Sequence, residues 1–142
     1  MIWTRLGGIA IVAASLSAVA GVAQAQQFTT AAEVKPILEM TKGNWVALRK
    51  FDGNDLVYFS HLMAWRCGFE SVRYGINGPA DTELKLEKCN TEYKQPNVIL
   101  DESIPLFTKR KLGSVKTISV EVTFDDGTVQ SEIIDASKIL IP

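Results

Sequence analysis

Residues 117–134 read TISVEVTFDDGTVQSEII. Ile118, Val120, Val122 and Phe124 alternate with Ser119, Glu121 and Thr123, the period of a strand with one buried face. Asp126-Gly127 is a turn signal, and Val129–Ile134 returns as a second strand. Two registers compete. Pairing Phe124 with Val129 sets Val120 opposite Ile133, apolar against apolar. Pairing Phe124 with Thr128 sets Val120 opposite Glu132 and brings a charge to the buried face. Hydrophobic patterning predicts the first register. Ile139-Leu140-Ile141 follows as a candidate edge strand.

Upstream the signals are similar. Trp45–Phe51 is rich in β-formers, Asp52-Gly53-Asn54-Asp55 is a turn, and Leu56–Trp65 is a second dense run, the pattern of a hairpin. Val57, Phe59, Met63 and Trp65 share one parity; Leu56, Tyr58 and Leu62 share the other. A strand apolar on both faces is central and covered on both sides. Gly68 breaks the run, Val72–Ile76 reads as a third strand, and Asn77-Gly78-Pro79 ends it. Residues 78–97 look irregular, although Leu84 and Leu86 alternate with charges as in a short edge strand.

The first element of the domain is helical. Thr30-Ala31-Ala32-Glu33 has capping-box spacing, Val34, Ile37 and Leu38 follow at helical intervals, and Gly43 is a stop signal. Pro36 would crowd the Ala32 carbonyl of a helix starting at Ala31. The helix therefore kinks there or starts near Lys35. The expected fold class is α+β: a short N-terminal helix packed on a mainly antiparallel sheet of about five to seven strands. A small closed β-barrel is the rival architecture.

Met1–Arg5, the apolar run Leu6–Val22 and the small-x-small triplet Ala23-Gln24-Ala25 read as a secretory signal peptide over 1–25, leaving one mature domain over 26–142. The apolar run sits at the lower edge of the about 20 residues a membrane span needs. No other stretch approaches that length, so no stable span is expected after cleavage. The two cysteines, Cys67 and Cys89, both fall in the exported part. In an oxidising compartment they predict a disulfide, and chain-entropy arithmetic gives such a loop about 3 kcal/mol.

Charge excludes one partner class. Lys plus Arg number 15 against 16 Asp plus Glu, a net charge of −1. That balance argues against a nucleic-acid binder, which needs a basic surface. The one basic cluster, Lys109-Arg110-Lys111, reads as a solvated strand end or turn, with contact to an anionic surface as the alternative.

No motif fixes a chemistry. His61 is the only histidine. On an extended second strand it would lie about 20 Å from Cys67, too far for a dyad. A lone histidine is poor support for zinc, and no calcium-loop, Walker or dinucleotide pattern occurs. Neither metal nor cofactor is expected. Asp52, Asp55, Asp125 and Asp126 occupy turns, where backbone hydrogen bonding explains them. Trp45, Tyr58, Phe59, Trp65 and Tyr74 crowd one meander, as core or as an aromatic-lined face for an apolar ligand or partner peptide. Arg66 and Arg73 flank them and would suit an anionic ligand. The candidate ligand-binding set is His61, Trp65, Arg66, Arg73 and Tyr58, with no catalytic residue assigned.

Gly43-Asn44-Trp45-Val46-Ala47-Leu48, Tyr58-Phe59-Ser60-His61-Leu62 and Trp65-Arg66-Cys67-Gly68 together resemble small exported proteins of alphaproteobacteria that have no assigned activity. The resemblance implies a periplasmic address in a Gram-negative cell and carries over no catalytic residue. The expected function is a non-catalytic periplasmic module that binds a small molecule or an envelope protein. A small hydrolase using His61 with a carboxylate, and an envelope structural protein, are the alternatives.

Overall fold

Thr30 caps the first helix as its spacing predicts. In the computed structural model, which describes residues 7–18, 21 and 26–142, α1 spans Ala31–Met40. The Thr30 hydroxyl accepts from the Glu33 N–H, and the Glu33 carboxylate accepts from the Thr30 N–H. A further tie holds the first turn: Ala31 N–H donates to Asp125 Oδ1 at 3.0 Å. Ala31, Val34 and Leu38 are buried on the inner face. These contacts outweigh the one hydrogen bond that Pro36 forfeits, so the helix starts at Ala31 rather than near Lys35. Gly43 falls in a 3₁₀ turn, Lys42–Asn44, and the buried Trp45 indole N–H reaches back to the Leu38 carbonyl at 2.9 Å.

Of the leader reading, Met1–Arg5 and Ala23-Gln24-Ala25 lie outside the described residues. Among those described, residues 7–18 carry no regular secondary structure, and no helix is long and apolar enough to cross a membrane.

β1 (Ala47–Phe51) and β2 (Asn54–Tyr58) form the expected hairpin. Asp52 and Gly53 have φ of 50° and 71°, the two positive values of a tight type I′ turn. The second run does not continue as a strand to Trp65. It turns at Phe59 into a single helical turn, α2 (Ser60–Met63), followed by a 3₁₀ turn, Arg66–Gly68. Phe59, Leu62, Met63 and Arg66 bury their side chains. Their spacing of i, i+3, i+4 and i+7 is helical, and it overrides the period-two reading of the same stretch.

The remaining strands are β3 (Phe69–Ile76), β4 (Thr82–Glu83), β5 (Phe107–Lys111), β6 (Thr117–Phe124), β7 (Val129–Asp135) and β8 (Leu140–Ile141). They form two four-stranded sheets, ordered β5-β2-β1-β8 and β4-β3-β6-β7, both open. The fold is therefore α+β with two sheets, and not a barrel. All pairings are antiparallel except β1 with β8. β2 is central, as its two apolar faces predict. One buried cluster joins Val34 and Leu38 of α1, Leu48 and Val57 of the first sheet, and Val72, Val120 and Phe124 of the second. Gly75 sits where β3 meets the turn after it; a Cβ there would lie 1.8 Å from the Pro79 carbonyl oxygen, so only glycine fits.

The β6–β7 hairpin takes the register that patterning rejected. Thr123 pairs with Val129, and Val120 with Glu132. The turn decides it. Gly127 has φ of 80°, its N–H bonds the Phe124 carbonyl at 2.9 Å, and Phe124 N–H bonds the Thr128 carbonyl at 2.8 Å. A three-residue loop ending in left-handed glycine imposes this pairing. The cost is small because β7 is an edge strand. Glu132 reaches the rim and pairs with Lys42 at 3.1 Å, while Ile133 turns outward and stays 78% exposed.

Candidate functional site

Arg66 is where the sequence expectation and the structure differ most. Its side chain is 2% exposed. All five guanidinium N–H donors meet backbone carbonyls. Nε donates to Glu87 at 2.7 Å; one terminal nitrogen donates to Met63 at 3.2 Å and Asn97 at 2.7 Å; the other donates to Lys88 at 3.1 Å and Val98 at 2.8 Å. An arginine has five donors in a fixed fork, so its capacity is filled. Burial pulls its pKa down, and the Glu87 carboxylate 3.9 Å away opposes that. Asn97 extends the clasp, accepting from Cys67 N–H at 2.9 Å and donating to the Phe28 carbonyl at 2.8 Å. The Cys67–Cys89 disulfide closes it, with Cα atoms 5.0 Å apart. The irregular segment is thus pinned to the 3₁₀ turn after α2 rather than to the end of a strand.

The other four candidates do not converge. Arg73, on β3, donates to the carbonyls of Ala80 at 3.3 Å and Asp81 at 2.6 Å. Trp65 packs edge-on against Phe28, centroids 5.1 Å apart, in a cleft of about 340 Å³ with Lys94 and Gln95. His61 lines a second cleft of about 370 Å³ with Asn44 and Lys138. It sits on α2, not on a strand, and its Nε2 lies 3.0 Å from the Thr41 hydroxyl. Among the described residues no carboxylate bonds it, and no group of three His, Cys, Asp or Glu side chains comes together as metal ligands would.

Burial pushes the His61 pKa below its usual value, so the fold favours the neutral ring. The unfolded chain then binds more protons than the native one below about pH 6.5, and stability falls as pH falls through that range. The carboxylates with lowered pKa, such as Glu33, Glu87 and Asp126 (held at about 2, chiefly by Lys35), take effect chiefly below about pH 5. Between pH 7 and 5, wild-type protein should lose resistance to urea and His61→Gln should not; equal slopes would contradict the buried neutral ring.

Tyr58 marks the third cleft, about 340 Å³, lined by Ile99, Ile104, Pro105, Leu106 and Phe107, with Asp101 and Glu102 on its rim. Tyr58 pairs with Phe107 across β2 and β5, and their rings lie 5.1 Å apart. Alternation puts Arg49, Phe51, Leu56, Tyr58, Phe107, Lys109 and Lys111 on one sheet face, opposite that of Leu48 and Val57. No residue of β1, β2 or β5 on that face is acidic. Of its lining, Ile99 and Leu106 each stay 40% exposed. It offers an apolar seat beside a row of cations, the composition of a binding site.

Sequence reasoning found Tyr58 and the basic cluster but not Ile99, Ile104, Leu106 or Phe107. The available signal was their occurrence as large apolar residues in a polar loop. No protein-family model, curated protein or solved structure matches this chain.

Proposed function

We propose that this chain is an exported, non-catalytic binding module of the periplasm, and that it holds a partner at the Tyr58–Phe107 cleft. The observation that carries the reading is the cleft itself: an apolar pocket open to the surface, with half-exposed Ile99 and Leu106 in its lining. The disulfide and the leader-type N-terminus support export, as does the resemblance to small exported proteins.

The test starts from protein recovered from the periplasm of cells expressing the full chain, with its amino terminus at Gln26. Immobilised, it should retain an envelope component that Leu106→Asp does not retain. Leu106 is 40% exposed, so the substitution should cost about 1 kcal/mol and leave the domain folded, which urea titration of the variant checks. Retention of nothing, or equal retention by both proteins, would refute the reading.

A further inference from the structure

We propose that the partner at this cleft is an extended, acidic protein segment that adds as a strand to the outer edge of β5; the inference rests on the binding reading above. β5 is the terminal strand of its sheet. Phe59 N–H bonds the Leu106 carbonyl, so Leu106, Thr108 and Arg110 turn their backbone groups to β2. Phe107 and Lys109 therefore turn theirs outward. The Lys109 carbonyl is met by its neighbour's guanidinium, from Arg110 at 2.8 Å, and not by another strand.

Charge selects the occupant. Lys109, Arg110 and Lys111 are consecutive, exposed, and in no ion pair among the described residues. Cations on an edge protect it from neutral strands and from a second copy of itself. The same row favours a strand that brings carboxylates, through complementary potential. Main-chain bonding would give such a segment its affinity, and side-chain seats its specificity.

Geometry also sets the pattern. Residues opposite Lys109 and Lys111 share a face with the residue opposite Phe107. An acidic residue, a spacer, a second acidic residue, a spacer and an apolar anchor would meet Lys111, Lys109 and the cleft in turn. Asp101 and Glu102 on the rim repel further acid at the anchor end, which fixes the register.

The probe is a short synthetic peptide alternating Glu and Thr and ending in Phe, compared with its counterpart carrying Lys for Glu. The acidic peptide should bind at least about tenfold tighter at low ionic strength, and the preference should shrink in salt. Lys109→Glu with Lys111→Glu should invert the preference; the neutral pair K109Q/K111Q should abolish it. The amides of Phe107 and Lys109 should gain protection from hydrogen exchange on binding. Equal binding of the two peptides, a preference that survives in either variant, or unchanged exchange would overturn the proposal. So would anionic phospholipid vesicles that displace the acidic peptide, since the surface would then serve a membrane. If the peptides bind equally while Leu106→Asp still abolishes retention, only the acidic-strand inference falls; if Leu106→Asp has no effect, the binding reading falls with it.

Discussion

Replacing Arg66 by Met should cost about 3–5 kcal/mol of unfolding free energy, the loss expected when one partner leaves a buried charged network. Five carbonyls lose their donor at once, and the Glu87 carboxylate loses its nearest cation. Methionine fills much of the volume, so the loss reports on polar groups rather than on a cavity. A lysine side chain in place of arginine keeps the charge but has three donors on one nitrogen and cannot span carbonyls from residues 63, 87, 88, 97 and 98. R66K should therefore rescue only part of the loss. Urea titration measures both; a change below about 1 kcal/mol for R66M would show that water replaces the guanidinium without penalty.

Removing the disulfide by Cys67→Ser with Cys89→Ser should cost about 3 kcal/mol, since it releases a loop with ends 22 residues apart. Against the about 5–15 kcal/mol of an ordinary domain, either change removes a large share. The two are coupled because both restrain the same segment: the sulfur bridge holds Cys89, and Arg66 holds Glu87 and Lys88 beside it. Losing both should cost less than the sum of the separate losses. A double-mutant cycle that closes to within about 0.5 kcal/mol of additivity would show two independent anchors.

What could be read from the residues alone was local. The capping box of Thr30 and Glu33, the tight turn at Asp52-Gly53 and the strand of Ile118 to Phe124 depend on neighbours in sequence, and all three stand in the structure. Two readings failed where two local rules conflicted. At Val120 and Glu132 side-chain pattern opposed turn geometry, and the turn prevailed because an edge strand lets a carboxylate reach the rim. Around Phe59 and Met63 an apolar run fitted both periods, and only burial separates them. The site was less legible still. Arg66 looked like a ligand-facing cation because all but one of its partners are carbonyls some twenty to thirty residues downstream, and a carbonyl leaves no trace in composition. Tyr58 was singled out, but Phe107 joins it only through strand pairing across half the domain.

A guanidinium whose hydrogen bonds all go to main-chain oxygens constrains where a segment runs far more than what it presents. Every amino acid supplies the same oxygen, so Lys88 and Val98 can be exchanged while their anchoring persists. The exposed tip between them, Thr91 to Gln95, is then open to diversification at little cost to the fold. The arrangement fixes the path of the segment through its main chain and leaves the side chains of its tip outside the clasp.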